Sequence, residues 1–145
     1  MLFRSAGHAP DATTYTQTVV PAPTVTTLAS SAPVSAVYGA LVTLSVAVDA
    51  TTGTPTGTVT IREGATVVGS CTLSSGRCDV TTATLATGDH DLVATYATDG
   101  NFAASASATL TQTIVANGTT TTLTAIPSAS SFGQTVRFQI GRAHV

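Results

Sequence analysis

The chain has 145 residues and a net charge of −2, and only 8% of its residues are charged: five Arg, no Lys, six Asp and one Glu. Thr (31), Ala (23), Val (16) and Ser (13) together supply 83 residues, and Trp is absent. This excludes nucleic-acid binding, for want of a basic patch to neutralise phosphates, and a helical membrane span, since no apolar run approaches about 20 residues. Val, Leu, Ile and the Thr methyl can build a core, so the chain is not a disordered acidic tail. Thr and Val are stiff at χ1 and favoured on pleated surfaces, which points to an all-β protein.

In chain order, residues 6–20 end in Thr16-Gln17-Thr18-Val19-Val20, which recurs 95 residues later as Thr111-Gln112-Thr113-Ile114-Val115. Thr26-Thr27-Leu28 recurs as Thr121-Thr122-Leu123 at the same offset of 95. Pro33, Tyr38, Gly39, Val42 and Leu44 recur as Pro127, Phe132, Gly133, Val136 and Phe138 at an offset of 94, and the slip of one residue fits a loop deletion. The chain is therefore read as the last strand of one repeat (6–20), a complete repeat (23–116) and the first strands of a truncated following repeat (118–139). Pro21-Ala22-Pro23 and Ala116-Asn117-Gly118 are the linkers, one stiff and one turn-prone.

Inside the complete repeat the period is two. Val42, Leu44, Val46 and Val48 alternate with Thr43, Ser45, Ala47 and Asp49; Val59 and Ile61 with Thr58, Thr60 and Arg62; His90, Leu92, Ala94 and Tyr96 with Asp91, Val93 and Thr95. Ala106, Ala108, Leu110 and Ile114 are placed on one face opposite Ser107, Thr109, Thr111 and Thr113. Turn chemistry at Thr52-Gly53-Thr54-Pro55, Glu63-Gly64, Ser74-Ser75-Gly76, Thr87-Gly88-Asp89 and Asp99-Gly100-Asn101 separates the runs. Strands are predicted near 24–31, 40–49, 57–62, 66–73, 77–83, 90–97 and 104–115. About seven short strands, each with one apolar face, predict an immunoglobulin-like two-sheet antiparallel sandwich flanked by partial repeats.

The two cysteines suggest an oxidising compartment. A turn at Ser74-Ser75 pairs Leu73 with Gly76, Thr72 with Arg77 and Cys71 with Cys78. Opposite residues of an antiparallel pair lie about 4.5–5.5 Å apart, within the reach of a disulfide, so a Cys71–Cys78 bridge is predicted over two small buried thiols. No nucleophile elbow, phosphate-binding glycine loop, His-x-x-x-His or calcium-hand loop is present, which argues against an enzyme and implies no cofactor. Absence of Lys excludes a lysine base, a Schiff base and a Lys–Asn isopeptide, leaving a Thr–Gln ester at Gln112 as a remote covalent alternative. Strand direction puts Glu63, Asp89 and Asp91 at the end of the sandwich near the exit linker, a weak calcium candidate at a repeat junction beside the plainer reading of solvated turn acids.

Several spaced motifs agree in order: Gly57-Thr58-Val59-Thr60-Ile61, Val67-Val68-Gly69, Leu85 with Gly88, His90, Leu92, Ala94 and Tyr96, Asp99-Gly100-Asn101-Phe102, and Leu110-Thr111-Gln112-Thr113. This pattern resembles the bacterial Ig-like repeats found in tandem in large exported proteins and adhesins. The resemblance implies an extracellular or cell-surface location in bacteria and a structural role as spacer or stalk link, with neighbouring Ig-like repeats as partners. It also implies a structural part for His90, two residues after Gly88. That position resembles the tyrosine corner of Ig-like sandwiches, where a polar ring bonds back to the chain before it. The Cys pair is a departure, since many such repeats lack it. The rival reading is an adhesive module binding an extracellular protein or a glycan. Sugar-binding sandwiches present flat aromatic rings, and the complete repeat has only Tyr38, Tyr96 and Phe102, with Tyr96 placed inward.

The ends carry a second resemblance. Met1-Leu2-Phe3-Arg4-Ser5 and Ile140-Gly141-Arg142-Ala143-His144-Val145 are similar to the two translated strands of one short sequencing adapter. Residues 1–5 and 140–145 are therefore expected to be artefactual and the chain a fragment.

Overall fold

The period-two runs dictate the pairing. The computed structural model describes residues 16–32 and 34–144, with side chains as far as Gly141. Its strands are β1 (Thr24–Ser30), β2 (Ala36–Val37), β3 (Val42–Ala50), β4 (Thr58–Glu63), β5 (Thr66–Thr72), β6 (Arg77–Thr82), β7 (Gly88–Tyr96), β8 (Ser105–Ala106), β9 (Leu110–Val115), β10 (Thr119–Ile126) and β11 (Arg137–His144). One sheet has the order β1-β3-β6, and the facing sheet β2-β9-β7-β4-β5 with β8 also on β7. All pairs are antiparallel except β2 with β9. The chain thus builds an all-β two-sheet sandwich.

The apolar face of each long strand meets the other sheet. Val42, Leu44 and Val48 from β3, Val59 and Ile61 from β4, and Leu92 and Tyr96 from β7 are fully buried. Leu73, Val80, Leu85 and Ile114 complete the core, with Leu28 and Leu110 packed half-buried against it. Burying one such side chain contributes roughly 1.5–3 kcal/mol.

Two details differ from the alternation. The run expected over 104–115 is broken, because Ser107 bonds to β7 through both its backbone N–H (to Ala94 O, 2.9 Å) and its hydroxyl (accepting from Ala94 N, 3.0 Å). The phase changes across this break. Ala106 and Ala108, expected to face inward, are exposed, while Ser105 and Ser107 are half-buried; beyond it Gln112 and Ile114 face the core and Leu110 packs against it. The second difference is β2, whose two residues are too few for a period to register.

Residues 16–20, expected to hold the last strand of a preceding repeat, are irregular and exposed; 1–15, including the adapter-like start, lie outside the described residues. β10 and β11 pair with each other in a separate two-stranded sheet, with Leu123 opposite Ile140. β11 runs through the residues that resemble adapter. Leu123, Ile126, Phe138 and Ile140 remain more than half exposed, and a lone strand pair is marginal in water. The buried cluster draws on no residue outside 36–114. A protein of residues 21–118 should therefore melt cooperatively with the denaturant midpoint of the full chain. A lower midpoint would show that the ends support the sandwich.

Candidate functional site

The cysteines join the two sheets. The turn is centred on Ser75-Gly76, not Ser74-Ser75: Ser74 and Arg77 exchange both backbone hydrogen bonds, at 2.9 and 3.1 Å. Ser75 and Gly76 both have positive φ (53° and 73°), as a tight two-residue turn requires. Beyond it the strands part. Gly76 O accepts from Val48 N in one sheet, and Leu73 N donates to Gly57 O in the other, both at 2.8 Å. Cys71 thus sits opposite Val59 in β4 and Cys78 opposite Val46 in β3, so both thiols face the interior from opposite sheets. The Cys71–Cys78 disulfide spans 5.9 Å between Cα atoms and closes this flank. The hairpin register inferred from sequence is corrected, because each strand takes its ladder partner from its own sheet. Beside the bridge, a Cβ on Gly69 would lie 2.5 Å from Val80 Cγ1, so glycine admits the close approach of β5 to β6.

Hydroxyl groups close the other flank. Ser105 Oγ lies 2.6 Å from Thr24 Oγ1 and 2.7 Å from Thr26 Oγ1. Ser30 Oγ donates to Oε1 of Gln112, whose side chain is only 1% exposed. The signal for Gln112 was in the sequence, a polar residue in the inward phase between Leu110 and Ile114. Its partner is a serine, so the pairing needed for a Thr–Gln ester is not formed.

His90 lies on the inward face of β7 at the exit end. Its Nε2 donates to Ala86 O at 2.9 Å, four residues back along the chain, and its Nδ1 lies 3.0 Å from Glu63 Oε1. Gly88, between them, has φ +129° with open space around it, so backbone conformation rather than crowding calls for glycine. Both ring nitrogens face acceptors, an arrangement that only the doubly protonated imidazolium satisfies. The Ala86 carbonyl raises the His90 pKa above its ordinary 6.5, burial opposes it, and the Glu63 carboxylate and Asp89 add to the rise. With both nitrogens committed to donation, the ring has no free lone pair to take a proton, and a general-base role is excluded in this state.

The acids do not converge. Glu63 pairs with Leu92, so its side chain is on the inward face with His90, while Asp89 and Asp91 point to the outer face of β7. There Asp89 Oδ1 accepts from Thr113 Oγ1 and Asp91 Oδ1 from Thr111 Oγ1, each at 2.6 Å. Among the described residues no three His, Cys, Asp or Glu side chains gather around one point. The calcium candidate at Glu63, Asp89 and Asp91 is thus corrected by strand parity, since sharing one end of a sandwich does not mean sharing a face.

At the opposite end Tyr96 is fully buried and donates its hydroxyl to Thr56 O at 2.8 Å. Asp99 Oδ1 accepts from Asn101 N (3.0 Å) and Phe102 N (2.9 Å), and Oδ2 from Thr56 Oγ1 (2.9 Å). Partial loss of solvent pushes the Asp99 pKa up, but these hydrogen bonds outweigh it and hold the carboxyl below the usual range. Each of these polar groups serves the fold. Among the described residues none is left buried without a partner.

The fold is an immunoglobulin-like sandwich, with a five-strand path facing three strands and every pair antiparallel but β2–β9. Residues 25–115 match the family model for the bacterial Ig-like domain (group 3), and the chain belongs to that family. Among solved structures, a chain from the fibronectin(III)-like modules of Clostridium thermocellum CbhA is 19% identical, with a TM-score of 0.47, and the match covers 63% of this chain and 96% of that one. No curated protein matches the chain. No helix in the described residues is long and apolar enough to cross a membrane.

Two outcomes follow. Reduction and alkylation should lower stability by about 2.5 kcal/mol on the loop-entropy formula, read from the denaturant midpoint; an unchanged midpoint would remove the disulfide from the account. For His90 the folded pKa is raised, so its stabilisation is complete below the ordinary 6.5 and is lost as pH rises through the folded value. The midpoint should therefore fall as pH rises above 6.5 and through the raised folded value, and the fall should be absent in His90→Gln.

Proposed function

We propose that this module is a structural spacer, one link in an extended stalk of a large bacterial cell-surface or secreted protein, with no catalytic role. The observation that carries this reading is the placement of its two ends. Thr24, at the start of β1, bonds to Ser105, and Ser30, at its end, bonds to Gln112, so β1 runs in the same sense as the β8–β9 segment. The chain enters at the Phe102 end and leaves past Val115 at the other. Such a module adds its full length to a tandem chain. β2 and β9 are also parallel neighbours, with Tyr38 N bonded to Val115 O at 2.8 Å. Tension between the ends loads this pair in shear, several hydrogen bonds at once.

The adhesive reading finds less support. Of the three rings in the repeat, Tyr96 is fully buried, Phe102 is half-buried and Tyr38 is 53% exposed. One exposed ring makes a poor platform for sugar stacking. The test combines two measurements on the full chain. Pulled from its ends, the sandwich should yield in a single event, releasing about 20 Å more chain after reduction frees the disulfide loop. A screen against glycans and extracellular matrix proteins should show no saturable binding. Saturable binding that depends on a surface residue of the sandwich would replace the spacer by an adhesive module.

A further inference from the structure

We infer that consecutive repeats meet at a nearly rigid junction, in which the apolar exit end of one module (Val37, Tyr38, Leu41 and Val115) is covered by the Asp99–Ala103 loop of the next copy. The inference rests on the spacer reading for its tandem context.

The recurrence carries it. With an offset of 95, Val20 corresponds to Val115 and Thr24 to Thr119, so Pro21-Ala22-Pro23 and Ala116-Asn117-Gly118 are one linker seen from its two sides. From the side of the module that follows, the linker is clamped. Ala22 N donates to Asn101 O and Ala22 O accepts from Ala103 N, both at 2.8 Å, which bridges Ala22 to Phe102. From the side of the module that precedes, it is clamped as well. Val115 O accepts from Tyr38 N at 2.8 Å, and Asn117 Nδ2 donates to Tyr38 O at 3.1 Å.

Ala22 and Asn117 are equivalent positions, and the two clamps use different atoms of that position. The following module takes its backbone N–H and carbonyl, and the preceding module takes its side chain. In an uninterrupted tandem, residue 115 belongs to one module and residue 117 to both, leaving Ala116 as the one uncommitted residue. Two residues span at most about 7 Å, so the next copy's Asn101 and Phe102 must lie against Tyr38.

The surface there is suited to being covered. Val37, Tyr38, Leu41 and Val115 are 48%, 53%, 68% and 42% exposed at one end of the sandwich. No charged residue occurs between Ala36 and Val48, and on the neighbouring β7 Asp89 is held by Thr113 Oγ1 and His90 by Glu63; the arriving loop brings Asp99, whose carboxylate accepts from Thr56, Asn101 and Phe102. The Asp89 and Asp99 carboxylates thus keep hydrogen-bond donors from their own module in the contact.

The test uses the full chain with residues 119–145 replaced by a second copy of residues 24–118, keeping the linker 116–118. Residual dipolar couplings should give one alignment tensor for both copies. Amides of residues 38–41 should exchange about tenfold more slowly in the first copy than in the second, whose end is bare. Inserting Gly-Ser-Gly-Ser after Ala116 should split the tensor in two. So should Tyr38→Ser with Leu41→Ser in the first copy, and both side chains are exposed enough that each copy's own melting should hold. Independent tumbling of the unaltered pair overturns the junction and leaves the spacer reading standing as flexible beads. A single tensor that survives the Tyr38 and Leu41 substitutions overturns the apolar cover. Saturable ligand binding would sink the spacer reading without touching the junction.

Discussion

A sandwich whose centre holds one aromatic ring, Tyr96, among Val, Leu, Ile and Ala has modest surface with which to hold two sheets face to face. The closure of its flanks therefore matters more than in a core rich in large rings. On the β5–β6 side the Cys71–Cys78 bridge and the glycine at 69 draw the sheets together until Val80 fills the gap. On the β1–β9 side four hydroxyls and one carboxamide do the same: Thr24 and Thr26 with Ser105, and Ser30 with Gln112. The strand edges are thereby turned toward each other instead of toward solvent, which removes templates for pairing with other chains. It also explains how a chain without lysine manages exposed edges, since the usual edge lysines are not available to it.

The sequence made the central strands legible because each has one buried and one wet face. β3, β4 and β7 lie inside their sheets, so the period-two rule applies with one departure, Ala47 of β3, which is buried although it lies in the outward phase. It failed where a side chain took over a backbone role. Ser107 bonds to Ala94 through both its backbone and its hydroxyl, and the faces exchange across it, which no count of apolar residues at 106 and 108 can foresee. The cysteine pair was legible as a pair but not as a route. A short turn normally joins neighbours in one sheet, and here Ser75-Gly76 joins strands that separate immediately. The acids at 63, 89 and 91 show a different limit. Strand direction gathers them at one end of the sandwich, whereas strand parity puts Glu63 on the inward face with Ile61 and Asp89 and Asp91 on the outer face.

Buried polar groups give the fold its uniqueness as much as the apolar ones. His90, Gln112, Thr26 and Thr82 are all buried, and each has partners. Leaving any one unsatisfied costs roughly 1–3 kcal/mol, so alternative pairings of these Thr- and Ala-rich strands are disfavoured even where hydrophobic burial would tolerate a slip. His90 is the most demanding, because its ring needs the Ala86 carbonyl and the Glu63 carboxylate together. It ties the turn before β7 to the end of β4 and so supports the register of these two neighbouring strands. The outer faces follow a milder version of the same rule. Thr111 and Thr113 donate to Asp91 and Asp89 across β9 and β7, so hydroxyl-to-carboxylate pairs take the place that ion pairs occupy in lysine-rich sheets.

The two ends of the sandwich are chemically unlike. At the entry end the Asp99 carboxylate accepts three hydrogen bonds, and Tyr96 reaches Thr56 from below. That end is a closed polar loop whose Asp99 carboxylate is hydrogen-bonded within its own module. At the exit end Tyr38 and Leu41 stand in solvent, separated only by Gly39 and Ala40, while the charged groups of that end, Asp89 and the His90–Glu63 pair, are held on β7 and β4. A contact between two different surfaces is heterologous, and copies joined that way grow along a line instead of closing on themselves as a two-fold pair does. The covalent chain sets which copy follows which, so the surfaces need only complement each other weakly to hold direction. Weak complementarity suffices because the linker keeps the partner within reach at a high effective concentration. Under the spacer reading, the polarity of the module is what sets the direction in which one copy follows another.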